Sequence, residues 1–264
     1  MTQQFAVADH YDVMRQLDAD VHDDHALSTT EADLALNLIG ALPSTVFLPC
    51  FGTGRHIHRL LARGVERIVG VDLSPECVAK AREAFGGDRR VELHVADLCT
   101  WRTTEQFDAV ILLGNSFGDI VDPKLSAKVT AGMVAPLCKD GAFIMDYIGE
   151  GYLDRAQART ASTWEATLNG VAVNDRRTPH YDEAARIMSI DVAVTPKAGG
   201  GLLWSGCYQK RILSPTEVVA HFADAGVVLT PRGLATELNR DYYASHGDEL
   251  GMIARSLWWS GRKA

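Results

Sequence analysis

A glycine-rich turn is the first segment of this chain whose residue types and spacing could bind a ligand. Gly52 and Gly54 follow the apolar run 45–49 and come just before a helical pattern over 55–63. Glycines in such a turn allow the main chain to bend tightly and a ligand to approach it, and the free amides at a helix start favour an anion. The turn alone is weak evidence, because tight turns favour glycine in any case.

Two aspartates add to this evidence, because each comes at the end of a predicted strand. Asp72 ends the run 68–72, and Asp97 follows the run 91–96. A carboxylate at the first position can accept hydrogen bonds from both hydroxyls of a ribose. A carboxylate at the second, together with the next backbone amide, can bind the edge of an adenine. Helix capping is the alternative role for Asp72, but Ser74 already suits that role. Because the carboxyl ends of parallel strands meet at one crevice, the combination predicts an adenosine site.

Strand and helix patterns alternate around these residues. The strands are predicted over 45–49, 67–72, 91–96, 107–113 and 142–147, and the helices over 31–41, 55–63, 76–85 and 124–137. Short continuous apolar runs are typical of strands that are buried on both faces. The alternation therefore predicts an α/β fold, a doubly wound and Rossmann-like domain with a mostly parallel sheet.

The alternation of strand and helix patterns stops between residues 162 and 211, where apolar and polar residues alternate as they do in strands. Turn signals at 169–170, at Pro179 and at 196–201 divide this segment, which predicts a small antiparallel β insert. Strands over 227–230 and 253–259 then complete a seven-stranded sheet with an antiparallel edge strand. We divide the chain into three parts: an N-terminal helical cap over 1–44, a Rossmann-like domain over 45–161 and 212–264, and the insert over 162–211.

Composition limits the partners and the compartment. The 264 residues carry a formal charge of -8, and no cluster of lysine and arginine stands among aromatic residues. Nucleic-acid binding needs concentrated positive charge, so we expect no nucleic-acid partner. The start of the chain lacks the order of a signal peptide, and no apolar run is long enough to cross a membrane. Five scattered cysteines fit free thiols in the cytoplasm and no metal site.

At these residues the chain resembles the class I S-adenosylmethionine-dependent methyltransferases. The segments 52–54 and 70–74 resemble the family's first two motifs, 96–98 its adenine-reading segment, and 107–118 its fourth-strand motif. The resemblance implies S-adenosylmethionine as the cofactor and S-adenosylhomocysteine as the product. The cofactor-binding residues that it implies are Tyr11, Phe51, Gly52, Thr53, Gly54, Arg55, Asp72, Leu73, Asp97, Leu98, Leu113 and Gly114.

The early pair Tyr11-Asp12 and the late β insert are similar to the glycine/sarcosine and amino-sugar N-methyltransferases. In that subgroup the early tyrosine closes over the methionine end of the cofactor, and the insert forms the substrate lid. The resemblance implies methylation of a small amine, with O- or C-methylation as the alternative, and by analogy it allows a homodimer. Leu48 departs from the family, which usually has there an acid that helps to hold the cofactor's ammonium group, and Cys50 replaces a glycine or alanine. Other groups must compensate for Leu48.

Methyl transfer from a sulfonium is an in-line displacement, so the protein mainly aligns the reactants and excludes water, which can lower the barrier by about 7–11 kcal/mol. A neutral amine needs no base, whereas a phenol or an enolisable carbon benefits from one. The catalytic candidates are His180 and Tyr181 in the insert, and Tyr147, which with Asp146 ends the fifth strand. The substrate-binding candidates are Asn115, Ser116, Phe117, Trp164 and Arg177. A lone histidine is more often a surface residue, and alternating aromatics more often fill a sheet core.

Two other functions compete with this interpretation. A nicotinamide-dependent oxidoreductase also has a G-x-G turn, but its fingerprint needs a further glycine where Ile57 stands. A non-catalytic cofactor-binding protein on the same fold is the second alternative, and Leu48 favours it. Fold alone does not decide between an active enzyme and such a protein.

Overall fold

A seven-stranded sheet forms the frame that positions the site. The computed structural model describes residues 12–19, 24–153, 160–246 and 256–264. The sheet consists of β1 (Thr45–Pro49), β2 (Arg67–Asp72), β3 (Val91–Val95), β4 (Phe107–Leu112), β5 (Leu137–Tyr147), β10 (Val227–Leu234) and β11 (Leu257–Lys263). Their order is β10-β11-β5-β4-β1-β2-β3. The chain order reverses at β1, which lies between β2 and β4, and open α/β sheets bind ligands at such a reversal.

The predicted fold class is confirmed, with one refinement at the end of the sheet. β11 runs antiparallel to both of its neighbours, β5 and β10. It therefore lies one position inside the edge, and β10 forms the edge itself. It also begins at Leu257, later than the 253 that the sequence pattern predicts.

Helices cover both faces of the sheet. They are α1 (His25–Ile39), α2 (Ile57–Ala62), α3 (Pro75–Phe85), α4 (Pro123–Val134), α5 (Pro215–Asp224), α6 (Ala235–Leu238) and α7 (Arg240–His246), and residues 12–17 are also helical. α1 begins six residues before the predicted start at 31, because the Asp24 carboxylate accepts hydrogen bonds from the amides of Ala26 and Leu27 at 2.8 and 2.9 Å. An aspartate in this position satisfies amides that the helix itself leaves free.

Alternate residues of the strands form two cores, one on each face. Val46 and Leu48 of β1 pack with Ile144 of β5 and with apolar residues of α1, α2 and α3. Phe47 projects to the opposite face, where it packs with Phe143 and with residues of α4 and α5. This period of two is what a strand buried on both sides requires. We call the first of these the α1 face of the sheet.

A separate antiparallel sheet forms the insert. It consists of β6 (Ser162–Leu168), β7 (Val171–Asp182), β8 (Ile187–Pro196) and β9 (Trp204–Arg211), in that order. Its inner face packs against Met14 and Leu17 of the helical segment 12–17 and against Ile148 and Ile212.

The prediction of a turn at Pro179 is wrong, because Pro179 lies inside β7 and pairs with Ile190 of β8. β6 begins at Ser162 opposite Arg177, and no described residue pairs with β7 on that side beyond Arg177. A proline is tolerated there, because its missing N–H interrupts no ladder. Within the described ranges, no helix is both long and apolar enough to cross a membrane.

Candidate active site

The glycine turn lies at the carboxyl end of β1, where the two glycines serve different purposes. Gly52 has φ +59°, and a side chain added there would meet no described atom within 4 Å. Gly54 has φ +78°, but a Cβ there would lie 2.9 Å from the Ile57 Cδ1 and 3.3 Å from the Phe85 ring. Gly54 therefore allows close packing of the turn against α2 and α3. Gly52 leaves room above the main chain, as a ligand site needs.

The Asp72 carboxylate connects the ends of β1 and β2. One of its oxygens accepts a hydrogen bond from the Gly52 amide at 2.8 Å, and the other accepts one from the Ser74 amide at 2.9 Å. Burial raises the pKa of Asp72, and these backbone N–H groups oppose that rise. Because a carboxylate offers about four acceptor positions, Asp72 keeps capacity for ligand hydroxyls. Its neighbour Leu73 is 37% exposed.

The end of β3 lies beside Asp72. The amide of Ala96 donates to the Asp72 carbonyl oxygen at 2.9 Å, and Asp97 follows immediately. The Asp97 carboxylate accepts a hydrogen bond from the Cys99 amide at 2.8 Å, which fixes its orientation, while Leu98 is buried. The structure thus brings Gly52, Asp72 and Asp97 to one edge of the sheet.

Hydrogen bonds connect the turn after β4 to the end of β5. The Asn115 amide donates to the Asp146 carboxylate at 3.0 Å, and the Asn115 side-chain oxygen accepts from the Ile148 amide at 2.9 Å. This pair of bonds fixes the turn that follows Leu113, in which Gly114 has φ +79° and is exposed. A side chain added at Gly114 would meet no closer described atom than the Ser116 Oγ, at 3.9 Å. The turn therefore presents open main chain at the same edge of the sheet.

The predicted substrate residues around this turn have different environments. Ser116 Oγ donates to the Leu113 carbonyl at 2.9 Å, and Ser116 is only partly buried. Phe117 is 3% exposed and packs against the Tyr147 and Phe222 rings, with centroid distances of 5.5 and 5.1 Å. Phe117 is therefore a core residue beneath the turn, and its ring does not face the crevice.

A buried ion network lies behind the glycine turn, on the α1 face. Glu31 of α1 is 2% exposed, and its carboxylate contacts the Arg55 guanidinium at 2.6 Å and the His56 Nε2 at 2.8 Å. Arg55 also donates to Ser28 Oγ at 3.2 Å. Burial by itself raises the pKa of Glu31, but Arg55 and His56 together hold it below its usual value. Glu31 is therefore an ionised group that anchors the start of α2.

Asp146 lies on the same face and is 2% exposed. No ion pair with its carboxylate is found in the described part of the chain. Burial, reinforced by the charge of Glu31, raises the pKa of Asp146 to about 7, while the Asn115 amide and Arg55 oppose that rise. A buried carboxylate without a cationic partner is costly.

The helical segment 12–17 and the residues after it connect the second strand end to the insert. The Asp12 carboxylate accepts a hydrogen bond from Ser74 Oγ at 2.9 Å, and the Asp18 carboxylate accepts one from Arg177 at 2.5 Å. Arg177 also pairs with Asp175 at 2.7 Å, and its guanidinium lies 5.3 Å from the Trp164 ring centroid. Arg177 and Trp164 thus belong to a contact between the insert and the N-terminal segment. The predicted residue Tyr11 lies outside the described residues.

The structure separates the three catalytic candidates. His180 is on the outer face of β7, with a 61% exposed side chain that contacts Asp191 at 3.2 Å. Tyr181 is half-buried on the inner face. Tyr147 is buried, and its hydroxyl donates to the Arg211 carbonyl at 2.5 Å and accepts from the Leu213 amide at 2.8 Å. Burial raises the pKa of Tyr147. Among the residues that the structure describes, none of the three forms a hydrogen bond with another predicted site residue.

Sequence reasoning missed several charged residues of this region. Lys210 of β9 forms an ion pair with Asp119, which follows the turn after β4. Burial raises the pKa of the Cys50 thiol beside the glycine turn, and the negative charge of Asp119 adds to that rise. Asp119 could have been noticed, because it directly follows the fourth-strand motif. Glu31 gave no signal that sets it apart from Asp33, the other acid in the same helical pattern.

Comparisons with known proteins agree with this geometry. Residues 49–141 match the family described as "Methyltransferase domain", and these residues contain the glycine turn, both aspartates and the turn after β4. A glycine/sarcosine N-methyltransferase of Parasynechococcus marenigrum is 37% identical over 102 residues, which are 36% of this chain and 35% of that relative. The curated relatives are matched over 19% to 47% of their length, so the chain covers less than half of each.

Solved structures extend the likeness of fold to almost the whole chain. An amino pentose methyltransferase from Micromonospora echinaspora, with S-adenosylmethionine bound, has a TM-score of 0.67 at 20% identity and covers 92% of this chain and 91% of its own. A sugar N-methyltransferase from Streptoalloteichus has a TM-score of 0.66 at 19% identity, covering 89% and 87%. These structures show the same fold, and the matched methyltransferase domain together with the curated relatives confirms the resemblance to class I methyltransferases that the sequence indicates.

Proposed function

We propose that this chain, which has the class I methyltransferase fold and a matched methyltransferase domain, transfers a methyl group from S-adenosylmethionine to an amine nitrogen of a small molecule. One observation carries the proposal. The Asp72 carboxylate and the Gly52 amide meet at 2.8 Å at the reversal of the strand order, beside open main chain at Gly52 and Gly114. The amine acceptor is supported by the curated relatives, which are glycine/sarcosine N-methyltransferases over the matched segment.

The donor set of the crevice fits this cofactor. Asp72 would accept the ribose hydroxyls, and Asp97 with the Leu98 amide would bind the adenine edge. The turn 52–54 and the main chain at 113–114 would lie against the methionine end. Thr53 and Leu73 follow the ends of β1 and β2 and would add to the contact, and Tyr11 would close over it. The Phe51 side chain packs in the core and the Arg55 guanidinium is held by Glu31, so these two would contribute through their main chain.

The residues of the chain act mainly by positioning. Bound S-adenosylmethionine supplies a methyl group that is already activated by the positive charge on sulfur. The protein must hold the acceptor in line with that group and exclude water. Asn115 and Ser116 follow the end of β4 and are the proposed contacts of the acceptor, together with Trp164 and Tyr181 of the insert. We assign no base to His180, because its side chain points away, and a neutral amine needs none.

Calorimetry with S-adenosylmethionine, S-adenosylhomocysteine and NAD tests the cofactor. We expect the first two to bind and NAD not to bind. Turnover is then measured as S-adenosylhomocysteine formation with paired acceptors that differ only in an amine or a hydroxyl. Turnover of the amines alone supports N-methylation, and turnover of the hydroxyl analogues would replace it with O-methylation. Binding of the cofactor without turnover of any pair would favour a non-catalytic protein.

We also propose a cytoplasmic location and no nucleic-acid partner. The five free cysteines support the cytoplasmic location. The net charge of -8 supports the absence of a nucleic-acid partner. We also propose a homodimer through the insert, whose edge strands β6 and β9 could pair with a second copy. Sedimentation of the chain with and without the segment 162–211 tests this.

A further inference from the structure

Leu48 leaves the methionine end of the crevice without the acid that the resemblance leads us to expect, and the structure contains a second carboxylate on the same face. Leu48 is 4% exposed and packs among apolar side chains with Ile144. Asp146 lies two residues beyond Ile144 on β5 and therefore projects to the same face of the sheet. β4 separates β5 from β1, and the register places Ile144 level with Leu48, so Asp146 is about 12 Å from position 48 at the usual strand spacing and rise.

We propose that Asp146 supplies the negative charge that holds the cofactor's ammonium group in this chain, in place of an acid at position 48. The proposal rests on the proposed function. Asp146 bonds directly to the Asn115 amide, and the preceding Gly114 presents open main chain to the crevice. An ammonium group at the methionine end would therefore come close to this carboxylate.

The balance of charge on the α1 face supports the proposal. Glu31, the other buried carboxylate there, is neutralised by Arg55 at 2.6 Å and also contacts His56. Tyr243 of α7 faces both acids and stays neutral, because burial raises its pKa. Asp146 makes no ion pair within the described residues and is nearly inaccessible to water. Its charge is therefore the one that a bound cation would balance.

The test compares two ligands that differ only in the amino-acid part. S-Adenosylhomocysteine has the ammonium group, and methylthioadenosine has the same nucleoside and thioether without it. In Asp146→Asn the amide oxygen can still accept the Asn115 N–H. We expect the dissociation constant of S-adenosylhomocysteine to rise about 30-fold and that of methylthioadenosine to stay within about twofold, since only one ligand loses a charged contact. Asp140→Asn, an exposed change at the other end of β5, is the matched control and should change neither.

A measurement on the unaltered protein covers the case in which Asp146→Asn does not fold. The ratio of the two dissociation constants cancels the titration of Asp72, which both ligands contact. The ammonium group binds the ionised form of Asp146, whose pKa is about 7. The dissociation constant of S-adenosylhomocysteine divided by that of methylthioadenosine should therefore rise about 20-fold from pH 7.5 to pH 5.5. Where Asp146→Asn does fold, the ratio should stay flat in that variant, because it has no carboxyl group to titrate at position 146.

Each outcome decides the matter. Equal losses for both ligands in Asp146→Asn would show that Asp146 only shapes the turn after β4, and would overturn the inference. Unchanged binding of both ligands, or a flat ratio in the unaltered protein, would overturn it as well. If neither ligand binds the unaltered protein, the proposed function itself fails.

Discussion

Replacement of Asp72 by alanine tests the centre of the site, and Asp108 provides a matched control. Both carboxylates accept hydrogen bonds from two backbone N–H groups. Asp72 holds Gly52 and Ser74 at the carboxyl ends of the strands. Asp108 holds Ser44 and Thr45 at the opposite ends, at 3.0 and 2.9 Å. The two variants therefore lose the same kind of contact, but only Asp72→Ala removes it from the crevice.

The magnitudes follow from these contacts. A hydrogen bond to a charged group contributes about 1.5–3 kcal/mol. Burial of the Asp72 charge, which raises its pKa, offsets part of that gain. We therefore expect Asp72→Ala to lose about 1–3 kcal/mol of unfolding free energy, and Asp108→Ala about 0.5–1.5 kcal/mol, because water reaches its turn. For the ligand, the loss of about 1.5–3 kcal/mol at the ribose corresponds to a dissociation constant about 10- to 150-fold higher in Asp72→Ala.

The assay is calorimetric titration of both variants with S-adenosylhomocysteine, after thermal unfolding has shown that each is folded. Asp108→Ala should bind as the unaltered chain does. The reasoning is refuted if Asp72→Ala keeps the original affinity, because the ribose would then lie elsewhere. It is also refuted if both variants lose affinity equally, because the effect would then reflect general loosening of the sheet.

Three further predictions concern the groups around the site. Glu31→Gln should lower the unfolding free energy at pH 7 by about 3–5 kcal/mol, because it leaves a buried cation unpaired. The pKa of Glu31 is lowered in the folded protein, so chemical denaturation should show the difference between the two proteins shrinking as the pH falls below about 4.5. Gly54→Ala should lower the melting temperature more than Gly52→Ala, because both changes strain a backbone with positive φ but only the Gly54 Cβ would also lie 2.9 Å from the Ile57 Cδ1. Gly52→Ala should in addition weaken S-adenosylhomocysteine binding in calorimetry. Arg177→Ala should speed amide hydrogen exchange at residues 12–18, because the ion pair with Asp18 is lost.

The frame of the fold could be predicted from the sequence because its signals are local. The apolar runs of β1, β2 and β4 are buried on both faces, and the two-residue turn at Asn169-Gly170 is visible in the chain itself. The ends of elements were less predictable. The start of α1 depends on a cap at Asp24, and the place of Pro179 in β7 depends on where β6 begins.

The meeting of Gly52, Asp72 and Asp97 could be predicted because one rule about parallel strands covers all three. The groups that support them could not, because each joins elements that are distant in the chain. Glu31 is 24 residues before Arg55, and Asp146 is 31 residues after Asn115. No periodic pattern relates such pairs, and only the packing of α1 and β5 brings them together.

Leu48 shows why a missing motif residue is weak evidence against activity. A motif describes a position along the chain, whereas a cofactor responds to the charge around it. Charge can reach the same face of the sheet from β1, from β5 or from a covering helix, because side chains of alternate strand residues share that face. In this chain β1 is apolar at its end, and Asp146, a buried carboxylate that makes no ion pair among the described residues, is on β5. A carboxylate that is costly to bury without a cation would be retained most readily where a cation binds.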